Sequence, residues 1–151
     1  MDSIIKCIEK SKILILIALF FICCTVKSQV DQKWLHNWNV AIKNKPSEIR
    51  SRGRIAPVDE KGKPLVIKGN VFNPDNTPAK AVLVHSYHRD SEGYDFGKND
   101  SELSTWRLHG WAKTDQNGNF EFKTIRPAAD YIAREGPHIH FTLVSEKYGR
   151  Q

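Results

Sequence analysis

The sequence predicts an all-β protein: an antiparallel β-sandwich with a short N-terminal helix behind a signal peptide. Three observations carry this. Between Gly62 and Val144, short runs of apolar residues alternate with polar ones, and each run is bounded by clusters of Gly, Pro, Asn and Asp. Only one stretch, near the N-terminus, repeats its apolar residues at helical spacing. The chain has 151 residues, which suits a single domain once a leader is set aside.

The leader comes first. Lys6, Lys10 and Lys12 precede an apolar run from Ile13 to Val26, about the length of a signal-peptide core and short for a membrane span. Val26 and Ser28 stand at the −3 and −1 places of a cleavage site before Gln29. Residues 1–28 are therefore expected to be a signal peptide, and the mature protein to be exported, periplasmic or secreted. An uncleaved anchor is the alternative. Lipid attachment at Cys23 or Cys24 is disfavoured by the bulky Phe21 and Ile22. All three cysteines, Cys7, Cys23 and Cys24, fall in this leader. The mature chain then has neither a disulfide nor a thiolate, and any metal is held by His, Tyr, Asp or Glu.

The formal net charge is +6, and part of it belongs to the leader. The remaining basic residues are scattered, with Arg50, Arg52 and Arg54 the one tight group. No basic stripe with aromatic partners is present, so nucleic acid is not an expected partner. Contact with a membrane is expected only through the export signal.

Residues 29–62 are read as a helix followed by a linker. Trp34, Leu35, Trp38, Ala41 and Ile42 share one helical face; Pro46 ends the helix, and Pro57 and Gly62 mark the link. Residues 63–151 are read as the sandwich. Leu65, Ile67, Gly69 and Val71 alternate with Val66, Lys68, Asn70 and Phe72 in a first strand. Asn73-Pro74-Asp75-Asn76-Thr77-Pro78 turns the chain into a second, Ala81 to His88. A third runs near Arg107 to Lys113. Thr114-Asp115-Gln116-Asn117-Gly118-Asn119 reads as a hairpin turn into a fourth, with Phe120, Phe122 and Thr124 on one face. Pro137 to Val144 forms a fifth.

That fifth strand holds the strongest chemical signal, Pro137-His138-Ile139-His140-Phe141-Thr142-Leu143. Successive strand residues point to opposite faces, so Ile139, Phe141 and Leu143 are expected in the core and His138, His140 and Thr142 on the other side. Two imidazoles on one face can reach one metal ion; Zn, Cu, Fe and Ni all accept imidazole. The bland alternative is two solvated histidines. Tyr94, after the Glu92-Gly93 turn, and Tyr131, in the loop before the histidines, are the candidate anionic ligands. Without them, a loop tyrosine is ordinarily a packing aromatic.

Taken together, Thr114-Asp115-Gln116-Asn117-Gly118-Asn119-Phe120-Glu121-Phe122-Lys123-Thr124-Ile125-Arg126-Pro127 and Pro137-His138-Ile139-His140-Phe141 resemble the core of the intradiol ring-cleavage dioxygenases. Gly62-Lys63-Pro64-Leu65-Val66-Ile67-Lys68-Gly69-Asn70-Val71 and Tyr87-His88-Arg89-Asp90-Ser91-Glu92-Gly93-Tyr94 extend the resemblance, especially to the small exported members. It covers about Pro57 to Phe141. The resemblance implies ferric iron, Fe(3+), held by Tyr94, Tyr131, His138 and His140. It implies a small aromatic diol and O2 as substrates, cleavage between the two hydroxylated carbons, Tyr131 as the displaced ligand and base, and Arg134 as the group that stabilises negative charge. Counted from Pro127, Tyr131 stands one residue later than the family tyrosine, and Asp130 takes its place; Arg134 is likewise one residue further from His138. The family also continues with a further strand, so the sheet is expected to end at an open edge after the histidine strand.

Two other readings compete. A non-catalytic exported sandwich of the transthyretin-like type shares the Gly-x-Val and Thr-Asp-x-x-Gly-x-Phe signals but has no paired tyrosines and histidines. A zinc or copper site would use His138, His140 and a carboxylate such as Asp130.

Overall fold

A computed structural model describes residues 31–99, 101 and 104–151; the predicted signal peptide lies outside them. Residues 33–151 form one compact unit. The elements are a helix, α1 (Gln32–Lys43), and strands β1 (Arg52–Arg54), β2 (Pro64–Asn70), β3 (Leu83–Tyr87), β4 (His109–Lys113), β5 (Asn119–Ile125), β6 (His140–Ser145) and β7 (Gly149–Arg150). The fold is thus mostly β, as expected. The strands build two sheets, a three-stranded β1-β5-β2 and a four-stranded β4-β3-β6-β7.

The pairing is antiparallel except between β1 and β5, which run parallel. That exception comes from residues read as linker. Arg52–Arg54 forms a three-residue strand against Glu121–Lys123, too short for any periodicity to reveal it.

Alternation along β2 places Leu65, Ile67 and Gly69 inward and leaves Val66 outward, as predicted. Opposite it, Phe122 of β5 is fully buried and Thr124 nearly so. The inter-sheet core gathers Ile55, Val84, Leu108, Ala112, Phe122 and Ile125 from both sheets.

The Asn117-Gly118 turn is not a hairpin. Asp115 Oδ1 accepts the amides of Asn117 and Asn119, both at 2.9 Å, and Gly118 takes φ +73°, the left-handed region that glycine enters without steric cost. The turn chemistry is as read. It carries the chain from β4 in one sheet to β5 in the other, so it arches across the core instead of pairing its two strands.

The second face of the four-stranded sheet is covered too. Trp38 and Ala41 of α1 pack there against Tyr87, Trp106 and Trp111. Asn37, 1 % exposed within α1, accepts the Trp106 amide at 2.9 Å and donates to the Lys33 carbonyl at 2.8 Å. It ties the helix to the segment before β4. Strand β3 is consequently buried on both faces: Val84 meets the inter-sheet core, while His85 and Tyr87 meet the layer under α1.

This layering corrects the face assignment of the histidine strand. Leu143 packs on the inter-sheet core. Phe141 is 43 % exposed and rests on Phe120 at its rim. Thr142, expected on a polar face, is buried, because α1 and its aromatic neighbours cover that side. The strand begins at His140, so His138 and Ile139 belong to the approach. The expected open edge is also covered. The chain turns back after Ser145, β7 pairs with β6, and Leu143 and Gln151 exchange two backbone hydrogen bonds of 2.9 Å.

Candidate metal and substrate site

Tyr94 is set by the turn that follows β3. Asp90 is buried; its Oδ1 accepts the amides of Glu92 at 2.9 Å and Tyr94 at 3.0 Å. Its Oδ2 meets Arg107 at 2.9 Å, and Arg107 in turn grips both oxygens of Glu60. Burial opposes ionisation of Asp90, but the Tyr94 and Glu92 amides and Arg107 together hold its pKa below the ordinary value.

Tyr131 is set by a second loop whose hub is Asp130. Asp130 Oδ1 accepts the amides of Arg134 at 2.6 Å and Glu135 at 3.1 Å. Oδ1 of this carboxylate is thus turned into its own loop. Among the described residues, no three His, Cys, Asp or Glu side chains gather as a metal site. Ala133 in the same loop has φ +54°, an uncommon left-handed conformation for a residue with a side chain.

The two loops touch. Gly93 has φ +93°, and a Cβ there would lie 2.3 Å from the Ala129 carbonyl and 2.7 Å from the Tyr131 nitrogen. Only glycine allows this approach. The Tyr94 and Tyr131 rings stack with centroids 5.2 Å apart and planes 14° from parallel. Tyr131 is 66 % exposed. Both rings line a cleft of about 430 Å³ with Arg89, Asp95, Phe96 and Arg134.

The histidines form a second pair. His138 and His140 meet edge to face at 4.7 Å. The His138 Nδ1–H donates to the Gly136 carbonyl at 2.7 Å, so Nε2 is the ring nitrogen left to meet a ligand; backbone bonds of this kind orient metal-bound imidazoles. Partial burial, and then the neighbouring His138, hold the His140 pKa below its ordinary value. The lowered pKa favours the neutral His140 imidazole, the form that accepts a cation.

The sequence-predicted residues thus fall into two pairs, and Arg89 joins them. Arg89 lines the tyrosine cleft. Its Nε donates to Asp95 at 3.1 Å and one terminal nitrogen to Glu135 at 2.7 Å. The Glu135 carboxylate lies 4.0 Å from His138 Nε2. Arg134 is exposed on the wall of the cleft, 3.8 Å from Asp130. Sequence reasoning singled out neither Arg89 nor Glu135, which lie 46 residues apart.

The fold and site define a class: a two-sheet β protein that presents two histidines, at the start of β6 and just before it, and two tyrosines from touching loops. A family model described as Dioxygenase matches residues 42–150. The chain belongs to that family, the intradiol ring-cleavage dioxygenases that its motifs resemble. It is 30 % identical over 105 residues to catechol 1,2-dioxygenase 1 of Acinetobacter lwoffii, covering 58 % of this chain and 34 % of that one. It is 28 % identical over 105 residues to the 6-chlorohydroxyquinol 1,2-dioxygenase of Cupriavidus pinatubonensis, covering 58 % and 37 %. The chain spans about a third of the length of these curated relatives. In fold it resembles the intradiol ring-cleavage dioxygenase of Tetranychus urticae, with TM-score 0.52 and 24 % identity over 69 % of this chain and 55 % of that one. The 3-chlorocatechol 1,2-dioxygenase of Rhodococcus opacus gives TM-score 0.51 and 24 % identity over 64 % and 45 %.

Proposed function

We propose that this protein is an exported non-haem dioxygenase that uses Fe(3+) and O2 to cleave a catechol-type ring between its two hydroxylated carbons. The observation that carries the reading is the edge-to-face His138–His140 pair, linked through Glu135 and Arg89 to a cleft lined by two phenols. His138, His140, Tyr94 and Tyr131 would hold the iron, a donor set of neutral imidazoles and anionic phenolates that suits a ferric ion. When bound, iron draws electron density from the diol and opens the ring to attack by O2.

The chain's own residues do the rest. The cleft admits an aromatic ring, and Phe96 and the stacked tyrosines offer it apolar faces. Tyr131, the more exposed of the two, would accept a proton from a diol hydroxyl at its Oη as the phenolate released from the metal, becoming a neutral phenol. A phenolate is a far stronger base than a carboxylate, with reference pKa values of about 10 against about 3.9, so Tyr131 serves this step where Asp130 does not. The Arg134 guanidinium, on the same wall, stabilises negative charge that develops on the substrate. Arg89 keeps the two loops together through Glu135. The leader ending at Ser28 directs the protein out of the cytoplasm.

The test uses purified, iron-loaded protein. It is expected to be visibly coloured by phenolate-to-iron charge transfer and to convert catechol with O2 to a cis,cis-muconate. His138→Ala and His140→Ala are each expected to remove iron from the chain while leaving the β-sheet circular dichroism unchanged. Full iron occupancy in both variants would sink the ligand assignment. A colourless chain that binds zinc, or a folded chain that takes no metal, favours the zinc reading or the non-catalytic sandwich respectively.

A further inference from the structure

The aromatic layer under α1 runs without a break from the histidine pair to the surface. His140 stacks on Tyr87 with centroids 4.5 Å apart and planes 7° from parallel. Tyr87 stacks on Trp106 at 3.8 Å and 15°. Trp106 meets Trp34 edge to face at 6.3 Å. Trp34 is half-buried on α1, stacked on Trp38 at 5.7 Å and covered by the Arg150 guanidinium at 4.9 Å. Residues 31–151 contain no cysteine and no methionine. Indole and phenol rings are therefore the most readily oxidised side chains available there, and they lie in contact from one end of the series to the other.

We propose that Tyr87, Trp106 and Trp34 form an electron relay that carries oxidising equivalents away from the histidine pair to the surface of α1. The proposal rests on His140 being a ligand of redox-active iron, as argued above. A one-electron oxidant formed when the metal site meets a peroxide takes an electron from Trp106 through the stacked ring of Tyr87. Trp34 refills Trp106. The Trp34 radical cation then gives its indole proton to water, and a soluble one-electron reductant such as ascorbate, with a proton from water, restores it. Two such turns deliver two electrons and two protons to one hydrogen peroxide, whose O–O bond breaks to give two waters; two molecules of the one-electron reductant are oxidised, and the Trp34 indole N–H broken on each turn is re-formed. Trp111 belongs to the same layer but cannot end the relay: its Nε1 is buried without an acceptor, so a proton has no way out.

The test loads the protein with Fe(3+), measures iron per chain, adds hydrogen peroxide, and maps oxygenated residues by peptide mass spectrometry. Wild type is expected to oxidise at Trp34. Trp106→Phe keeps a ring in the stack but removes its readily oxidised indole. It is expected to retain iron, to lower Trp34 oxidation severalfold, and to move damage to Tyr94, Tyr131 and His138. Trp34→Phe, at a half-buried position that tolerates the change, is expected to shift oxidation to Trp106. Equal Trp34 oxidation in Trp106→Phe or in iron-free protein would overturn the relay alone, as would wild-type damage confined to the tyrosines and His138. A chain that takes up no iron would overturn the metal reading and the relay with it.

Discussion

The two layers that the four-stranded sheet separates are built differently. Between the sheets lie Ile55, Val84, Leu108, Ala112, Phe122 and Ile125, side chains with no polar atom to satisfy. Under α1 lie Trp38, Tyr87, Trp106 and Trp111, packed around the fully buried His85. The first layer holds chiefly by apolar burial, with His88 Nε2 and Thr124 Oγ1 meeting at 2.6 Å as a buried polar contact. The second brings ring nitrogens and amides into the interior, and two of these, His85 Nδ1 and Trp111 Nε1, have no partner. A layer of the first kind fixes the fold. A layer of the second kind is costlier to bury and keeps polar groups in contact with the site, since Tyr87 stacks directly on His140.

The difference can be broken from either side. Phe122→Ala removes the largest fully buried apolar side chain and is expected to cost about 3–5 kcal/mol, read as a lower urea midpoint in which both layers melt together. A transition in which the β signal survives and only the tryptophan signals change would show that the inter-sheet layer is not the foundation.

Acid strikes the other layer. Burial, with His109 beside it, pushes the His85 pKa down to about 3 from 6.5; burial also lowers His109. Their rings meet at 3.1 Å, Nε2 to Nδ1. Tyr87 also faces His85, and Arg150 stacks over the neighbouring Trp38. Because the folded pKa lies below the unfolded one, the neutral pair contributes its full stability above pH about 6.5 and loses it as pH falls toward about 3. Tryptophan fluorescence is expected to change in that window before the far-ultraviolet signal of the sheets. His85→Phe is expected to flatten the acid limb; an unchanged limb in that variant would assign the loss to other groups.

The smallest expected effect sharpens the boundary between helix and sheet. Asn37→Ala leaves the Trp106 amide without its acceptor, at a cost of about 1–3 kcal/mol. Hydrogen exchange is expected to accelerate in α1 while the β2–β5 ladder stays protected. Uniform acceleration would mean that the helix does not open independently.

How far each layer was legible follows from the same contrast. Apolar alternation found β2 and β5 and their inward residues, because a half-buried strand writes a period of two into the sequence. It could not find β1 or β7, which are three and two residues long. It misjudged β6, whose second face is covered by a distant helix and so buries Thr142. The Asn117-Gly118 turn was legible as a turn but not as an arch, because local backbone chemistry does not say which sheet the next strand joins. At the site, residue types and the His-x-His spacing identified the candidate donors. Their division into two pairs was not legible, and neither were the groups that hold them. Asn37 reaches Trp106 across 69 positions and Arg89 reaches Glu135 across 46, so no local pattern announces either contact.

One missing side chain has a consequence for how this cleft can change. At Gly93 the main chains of the two tyrosine-bearing loops lie closer than any Cβ permits, so the spacing of that wall is fixed by backbone against backbone. Exchanging side chains there cannot widen it by degrees; any replacement of Gly93 forces the loops apart in one step. A lineage adapting to bulkier rings would have to leave this contact alone and trim the lining elsewhere, at Phe96. Diversification of ligand preference is thereby channelled away from Gly93, where the spacing is inherited as a rigid gauge.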